Sequence, residues 1–142
     1  ENQFLEPAIQ VRAGQVVLEK VRRTKYLVAV PLGITVEDAV NLMREHDISQ
    51  VPVIEGGQCV GSISEARILD ILVSDAKARR KPVVEYMEKP FPVVSDEASL
   101  TEVAQRMDRE TPAILVKHLG GYDIITKSDL ISFLTRKDGG KG

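Results

Sequence analysis

Two stretches of the chain carry the same pattern of hydrophobic and polar positions. Each opens with a short apolar run, at Tyr26–Val30 and at Phe91–Val94, that predicts a β-strand. A helix is predicted next in each stretch, because apolar residues recur three or four positions apart. These residues are Val36, Ala39, Val40 and Met43 in the first stretch and Leu100, Val103, Ala104 and Met107 in the second. Both stripes are predicted to face a hydrophobic core.

The start of each predicted helix has the residues of a capping box. Thr35 stands three positions before Asp38, and Ser99 stands three positions before Glu102. In a capping box the hydroxyl accepts a hydrogen bond from a backbone N–H of the first turn, and the acidic side chain reaches back to the capping residue. The two helices are therefore predicted to begin at equivalent points of the pattern.

Two strands and a second helix complete each stretch. The predicted strands are Val51–Ile54 and Cys59–Ser64 in the first stretch and Ala113–Lys117 and Tyr122–Thr126 in the second, with Gly56-Gly57 and Gly120-Gly121 at the tight turns. The closing helices carry Ile68, Leu69, Ile71 and Leu72, matched by Leu130, Ile131, Phe133 and Leu134. The repeat is degenerate, since the second copy is two residues shorter between its first helix and the following strand.

The repeat predicts an α+β fold of two β-α-β-β-α units. One unit of this size cannot bury both faces of its sheet, so the two copies are expected to pack as a pseudo-twofold pair. The predicted boundaries are 1–24 for an N-terminal linker or tether with a short helix near Ala13–Val21, 25–74 for the first repeat, 75–89 for an inter-repeat linker with a helical turn after Pro82, 90–136 for the second repeat and 137–142 for a flexible tail.

Composition narrows the class of protein. The 142 residues are 43% hydrophobic and 28% charged, with a formal net charge of -2, which is typical of a globular protein and favours a soluble, cytoplasmic one with no membrane span. The mild acidity argues against nucleic acid as a partner, and the basic run Lys77–Lys81 is interpreted as a solvated linker. The first residues show neither a signal peptide nor an initiator Met, as expected of a piece of a longer protein.

The residues that most often carry catalysis are sparse. Cys59, the single cysteine, is predicted to be a small buried side chain, His46 to interact with a helix end, and His118 to be a surface residue at the end of a strand. Neither histidine has a carboxylate or nucleophile at a motif spacing, and the chain has no metal-ligand motif. The sequence therefore predicts a protein that is not an enzyme, with no catalytic residues and no metal.

Two segments resemble the signature of a known family. A strand that leads into Ser/Thr-x-x-Asp at a helix start appears as Asp123–Leu130 (DIITKSDL) and, less completely, as Gly61–Ile68 (GSISEARI). The segment Ile48–Val53 (ISQVPV) matches a further landmark of the same family. Over residues 25–136 the chain resembles a tandem pair of cystathionine β-synthase (CBS) domains, also called a Bateman module.

Further stretches narrow the resemblance. Residues 1–7 (ENQFLEP), 43–50 (MREHDISQ), 87–94 (MEKPFPVV) and 111–116 (TPAILV) are similar to the C-terminal regulatory region of a bacterial-type cystathionine β-synthase, a pyridoxal-phosphate enzyme. The resemblance implies a regulatory module whose partner is a catalytic domain that this chain lacks. It also implies homodimers formed through the helices of the repeats.

The resemblance implies a ligand cleft between the repeats for an adenosine-containing regulator, either S-adenosylmethionine, AMP or ATP, with no other cofactor. The first cleft would combine Lys25, Leu27, Val28, Ile48, Ser49, Gln50, Val51 and Pro52 with Ile124, Thr126 and Asp129. Apolar members would enclose the adenine, Asp129 would accept hydrogen bonds from the ribose hydroxyls, and the helix start at Thr126 would favour a phosphate or carboxylate. Alternatively, Thr126-x-x-Asp129 is an ordinary capping box and the module binds no ligand, serving only in dimerisation or docking.

A second cleft departs from the family pattern. It would pair Pro92, Val93, Thr111, Pro112 and Ala113 with Ile63, Ser64 and Arg67. Arg67 stands where the ribose-binding Asp belongs, and an arginine cannot accept a hydrogen bond. This cleft is expected to be empty or to hold a phosphate by charge. Asp123 replaces the customary Gly of the other copy and is expected to narrow the first cleft.

Overall fold

The computed structural model describes residues 11–21, 27–118 and 120–135 of the chain. Within these ranges the chain divides into two compact units, one formed by 28–91 and the other by 11–21, Leu27, 92–118 and 120–135. The helices and strands, in chain order, are α1 (Ala13–Val21), α2 (Val36–His46), β1 (Gln50–Glu55), β2 (Gln58–Ser64), α3 (Glu65–Ser74), β3 (Val93–Ser95), α4 (Leu100–Arg106), β4 (Ala113–His118), β5 (Gly121–Thr126) and α5 (Lys127–Thr135). The fold is α+β, as the repeat predicted.

The unit of residues 28–91 is built on the antiparallel hairpin β1–β2. Gly56 and Gly57 have φ of 60° and 78°, the left-handed conformation that a two-residue hairpin turn requires at both central positions. Helices α2 and α3 contribute apolar residues to one core with the hairpin. The core contains Val30, Val36, Ala39, Met43, Val51, Val53, Ile63, Ile68 and Val83. The helical stripe predicted from Val36, Ala39 and Met43 therefore faces this core.

The other unit contains a three-stranded sheet in the order β3-β4-β5. Strand β3 runs parallel to β4, and β4 pairs antiparallel with β5. Helix α1 packs against β4, β5 and α5. Its residues Ala13, Val16 and Val17 are buried together with residues from the strands, from the turn after β3 and from α4 and α5, namely Val94, Ala98, Leu100, Val103, Ile114, Val116, Ile125 and Leu130. Helix α1 is therefore part of the core of this unit.

The first helix of each repeat begins as predicted but ends differently. The Asp38 N–H donates to Thr35 Oγ1 at 3.0 Å, and the Glu102 N–H donates to Ser99 Oγ at 3.1 Å. Helix α2 continues to His46 and ends with Asp47 in the left-handed conformation at φ 56°. Helix α4 ends at Arg106 with an extended Met107. The shorter second copy thus has the shorter helix.

The prediction of a first strand in each repeat is largely wrong. Residues 27–29 form no strand, Tyr26 lies outside the described residues, and Val30 makes a single parallel bridge to Val53. In the second repeat β3 is limited to Val93–Ser95 and excludes Phe91. Pro31 lacks the N–H that would extend the ladder beyond Val30, and Pro92 lacks the N–H that would extend β3 toward Phe91.

Two segments pack more closely than their sequences suggested, whereas Cys59 is less buried than predicted. Residues 75–89, predicted as a linker, contain the 3-10 helices Ala76–Arg80 and Val83–Glu85, the second of which follows Pro82 as predicted. Ala78 and Val83 are fully buried within the unit of residues 28–91. The N-terminal helix, predicted within a tether, is docked through its apolar face, as described above. Cys59 is half-buried rather than buried, and its thiol donates to the Gly61 carbonyl at 3.3 Å.

Candidate functional site

The turn from β5 into α5 is locked by a reciprocal pair of hydrogen bonds. The Thr126 N–H donates to Asp129 Oδ2 at 2.9 Å, and the Asp129 N–H donates to Thr126 Oγ1 at 3.1 Å. Both side chains are half-buried. The arrangement is a complete capping box, so it fixes where the strand ends and where the helix starts. A carboxylate has lone pairs for several hydrogen bonds, so the cap is compatible with an additional donor at Asp129.

The equivalent turn of the first repeat, from β2 into α3, has a different chemistry. The Arg67 N–H donates to Ser64 Oγ at 3.0 Å, which caps the helix from one side only. The Arg67 Nε–H donates to the Tyr86 carbonyl at 3.0 Å, and the Glu65 N–H donates to the Ser49 carbonyl at 2.9 Å. The guanidinium thus ties the start of α3 to the end of the 3-10 helix Val83–Glu85. At this position the first repeat has Arg67, a cationic hydrogen-bond donor, whereas the second repeat has Asp129, which can accept a hydrogen bond from a ribose hydroxyl.

Each hairpin carries residues from both predicted clefts. In the first hairpin Gln50 lies opposite Ser64 and Val51 lies opposite Ile63. In the second, Ala113 lies opposite Thr126. The residues assigned to one cleft are therefore the direct cross-strand neighbours of those assigned to the other.

The predicted cleft residues differ in how much of their surface is accessible. The side chains of Val51, Ile63 and Ala113 are fully buried, so only their backbone is available to a ligand. Thr111 and Pro52 are also buried. The half-buried members are Leu27, Val28, Ile48, Gln50, Ser64, Arg67, Pro92, Pro112, Ile124, Thr126 and Asp129, while Ser49 and Val93 are exposed.

The residues predicted for each cleft belong to two different compact units. For the first cleft, Val28 and the segment 48–52 belong to the unit of residues 28–91, whereas Ile124, Thr126 and Asp129 belong to the other unit. Lys25 lies outside the described residues. The structure brings together the members within each unit, and the joining of the two sets into one cleft stays a prediction.

The contact between the side chains of His118 and Asp96 was not predicted from the sequence. His118, expected on the surface at the end of a strand, is the last residue of β4 and only partly accessible; its Nδ1 lies 2.8 Å from Asp96 Oδ2. The two residues are far apart in sequence and form no recognised motif. Pairing of β3 with β4 brings them near each other, so the contact becomes predictable only once the parallel register is known.

The described part of the chain meets neither the requirements of a metal site nor those of a membrane-spanning helix. Among residues 11–21, 27–118 and 120–135, no three His, Cys, Asp or Glu side chains are grouped as a metal ion would need. None of the helices described has the length and apolar character to cross a bilayer. His46 lies in the last turn of α2, as predicted.

Comparison with known proteins identifies the family. The model of the CBS domain matches the chain twice, over residues 18–74 and 83–136. The chain belongs to the CBS-domain family. It carries a tandem CBS pair, which is a regulatory module.

Individual CBS proteins are similar in fold and only distantly similar in sequence. A putative signal-transduction protein with CBS domains from Burkholderia ambifaria has a TM-score of 0.73 at 23% identity, over 89% of this chain and 96% of that one. A putative archaeal homologue of γ-AMPK, MJ1225 from Methanocaldococcus jannaschii, has a TM-score of 0.67 at 18% identity, over 84% of this chain and 51% of that one.

A curated relative from the same archaeon is named zinc metalloprotease MJ0392. It is 27% identical over 104 residues, which make up 73% of this chain and 28% of that protein. The CBS pair thus spans less than a third of the length of this relative.

Proposed function

We propose that this tandem CBS pair binds an adenosine-containing ligand and thereby regulates a catalytic domain to which it is attached. The observation that carries the proposal is the turn at Thr126 and Asp129, which holds a half-buried carboxylate at the start of a nine-residue helix. The turn occupies the position of the family's Ser/Thr-x-x-Asp signature. Its geometry is fixed before any ligand arrives, which lowers the entropic cost of binding.

Asp129 is the proposed ribose-binding residue. A nucleoside offers two neighbouring hydroxyl donors, and a carboxylate is the side chain best able to accept both. The first-turn amides of α5, which include those of Lys127 and Ser128, lack acceptors within the helix and favour an anionic group. Leu27, Val28, Ile48 and Pro52 are the proposed apolar contacts for adenine, together with the backbone of Gln50 and Val51. Lys25 and Ser49 are the remaining proposed ligand-binding residues of this cleft.

The ligand class follows from the charge that this helix start favours. AMP and ATP carry phosphates and so benefit from the positive end of α5, whereas the sulfonium of S-adenosylmethionine does not. S-adenosylmethionine is favoured instead by the resemblance to the regulatory region of a cystathionine β-synthase. Arg67 argues against a second nucleoside site of the same kind, and a phosphate is the group that it would retain in the second cleft.

The proposed partner is a pyridoxal-phosphate-dependent catalytic domain of the cystathionine β-synthase type, in the cytoplasm. The stretches at 43–50 and 87–94 support this assignment by their similarity to that enzyme's regulatory region. Regulation requires that the ligand bind one conformation of the module more tightly than another. The module itself performs no catalysis in this proposal.

Isothermal titration calorimetry of the chain with S-adenosylmethionine, AMP, ADP and ATP tests the assignment. We expect heat with at least one of them and roughly a tenfold or greater loss of affinity in Asp129→Ala, which removes a charged hydrogen-bond acceptor. Ser99→Ala is the matched control, because it removes the helix cap of α4 in the same unit and leaves the signature turn intact. Unchanged affinity in Asp129→Ala would mean that the site is elsewhere.

A module that only dimerises is the second candidate, and an observation favours it. Helix α3 exposes Leu69 and Val73 by 63% and 78%, and helix α5 exposes Ile131 and Leu134, each by 61%. Exposed apolar side chains spaced along one helix are typical of a protein interface. We propose a second copy of this chain as the partner of these faces. If none of the four ligands gives heat and the chain forms stable dimers, dimerisation is the only one of the two roles that remains.

A further inference from the structure

Helix α1 is attached to the second repeat through its backbone as well as through its apolar side chains. The Ala13 N–H donates to the Ala98 carbonyl at 2.8 Å, and the Gly14 N–H donates to the Asp96 carbonyl at 2.9 Å. The first amides of a helix have no partner within the helix, so the turn after β3 satisfies two of them. At the entry to the helix, the Leu100 N–H donates to the Val11 carbonyl at 3.2 Å.

The contact between α1 and this turn is close. A Cβ on Gly14 would lie 3.1 Å from both the Cβ and the carbonyl oxygen of Asp96, so glycine allows the helix to rest directly on the backbone of that residue. The turn has its own support, since the Glu97 N–H donates to Ser95 Oγ at 2.9 Å and the Ala98 N–H donates to the Ser95 carbonyl at 3.0 Å. Asp96 is therefore a direct backbone contact of α1.

The Asp96 side chain is held from the other direction by His118. The Nδ1–Oδ2 distance of 2.8 Å is that of a charge-assisted hydrogen bond, and because a carboxylate can only accept, the ring donates from Nδ1. The two side chains are 26% and 37% exposed, in the order His118 and Asp96, so water weakens the contact only in part. Asp96 thus contacts α1 through its backbone carbonyl and the end of β4 through its side-chain carboxylate.

We infer that the Asp96–His118 pair is a latch that sets how tightly helix α1 is docked on the second repeat. When the latch is closed, the turn presents its carbonyls to Ala13 and Gly14. When the hydrogen bond between Asp96 and His118 is broken, the turn is held less firmly. Helix α1 then separates from the sheet more often and exposes the apolar residues that it covers. The inference concerns the docking of α1 and does not depend on a ligand.

Amide hydrogen exchange of the whole chain, followed by NMR, measures this docking directly. The Ala13 and Gly14 amides report the contact with the turn, and the Leu115 amide, which donates to the Pro92 carbonyl from a fully buried residue, reports opening of the core. We expect Ala13 and Gly14 to exchange faster than Leu115. In Asp96→Ala and in His118→Ala their exchange should rise roughly three- to tenfold, the change that a partly exposed charged hydrogen bond supports. The double variant should exchange no faster than either single variant.

A neighbouring ion pair provides the control. Glu102 and Arg106 lie 4.0 Å apart on α4 with both side chains about half exposed, and the pair involves neither Asp96 nor His118. Glu102→Ala should leave Ala13 and Gly14 unchanged. Three results would overturn the latch: an equal rise in Glu102→Ala, unchanged exchange of Ala13 and Gly14 in Asp96→Ala, or wild-type exchange of these amides no faster than that of Leu115.

Discussion

The two helix-start turns show how one side chain changes the chemistry of a repeated position. Thr126 and Asp129 cap each other, whereas Ser64 caps Arg67 and the guanidinium turns to the Tyr86 carbonyl. The capping of both helices was predictable, because the residues that cap stand three positions apart in the sequence. The contact with Tyr86 was not, because it joins residues whose proximity depends on the packing of a 3-10 helix.

Gly61 is a residue at which the structure leaves no space for a side chain. A Cβ there would overlap Met87 Sδ and would lie 2.9 Å from Met87 Cγ and 3.0 Å from the Glu88 carbonyl oxygen. The Ser62 N–H donates to the Glu88 carbonyl at 3.0 Å, so the residues after the second 3-10 helix are held against β2 and cannot easily move away.

Gly61→Ala should therefore destabilise the protein by about 1–3 kcal/mol, the usual cost of overpacking a filled site. Chemical denaturation of the variant and the wild type measures the difference. Gly33→Ala is the matched control, since a Cβ on Gly33 meets nothing within 4 Å. Equal stability of Gly61→Ala and Gly33→Ala would show that residues 87–88 do not hold their position against β2.

At the scale of the element, periodicity predicted the helices and hairpins well. Turn glycines and short apolar runs were sufficient for β1, β2, β4 and β5, because these signals lie within the segments themselves. The first strands failed because pairing partners and proline positions decide how far a ladder extends. Val30 exchanges hydrogen bonds with Pro52 and Ile54 at a single point, and Pro31 follows it directly.

The role of α1 was also underestimated, because a short helix near a terminus gives no local sign of what it packs against. Val17 is 1% exposed in the core of the second repeat. Val17→Ala should cost about 1–3 kcal/mol of unfolding free energy, as expected for removal of buried methyl groups. Val84→Ala, at a position 43% exposed in the 3-10 helix Val83–Glu85, should change it less. Thermal or denaturant unfolding compares them, and a neutral Val17→Ala would show that α1 contributes little to the core.

At the scale of the whole molecule, the unpaired apolar faces of α3 and α5 predict self-association. A glutamate in an interface of this kind is buried without a partner, which is strongly unfavourable. Leu69→Glu or Ile131→Glu should therefore shift dimers to monomers in analytical ultracentrifugation, with at least a tenfold weaker association. Ser132→Glu, at an exposed polar position beside Ile131, should associate as the wild type does. A wild-type chain that sediments as a monomer at all concentrations would contradict the prediction.

The family could be predicted from the sequence because its signature residues are local in the chain. The ligand site was predicted only as a set of residues, since the sets at 48–52 and 124–129 belong to different compact units. Motifs identify which residues have the right chemistry. The distances between them depend on tertiary packing, which no spacing in the sequence encodes.

The participation of α1 in the second repeat has a consequence for synthesis on the ribosome. Residues 28–91 form a compact unit from one continuous stretch of chain, and compact units generally fold in the order of their synthesis. Ala13, Val16 and Val17 are translated earlier, yet their partners on β3, β4 and β5 appear only after that unit is complete. From the synthesis of Val17 until that of β3, β4 and β5, the nascent chain therefore carries an apolar segment without its final neighbours, and this interval is when chaperones would have a binding site on it.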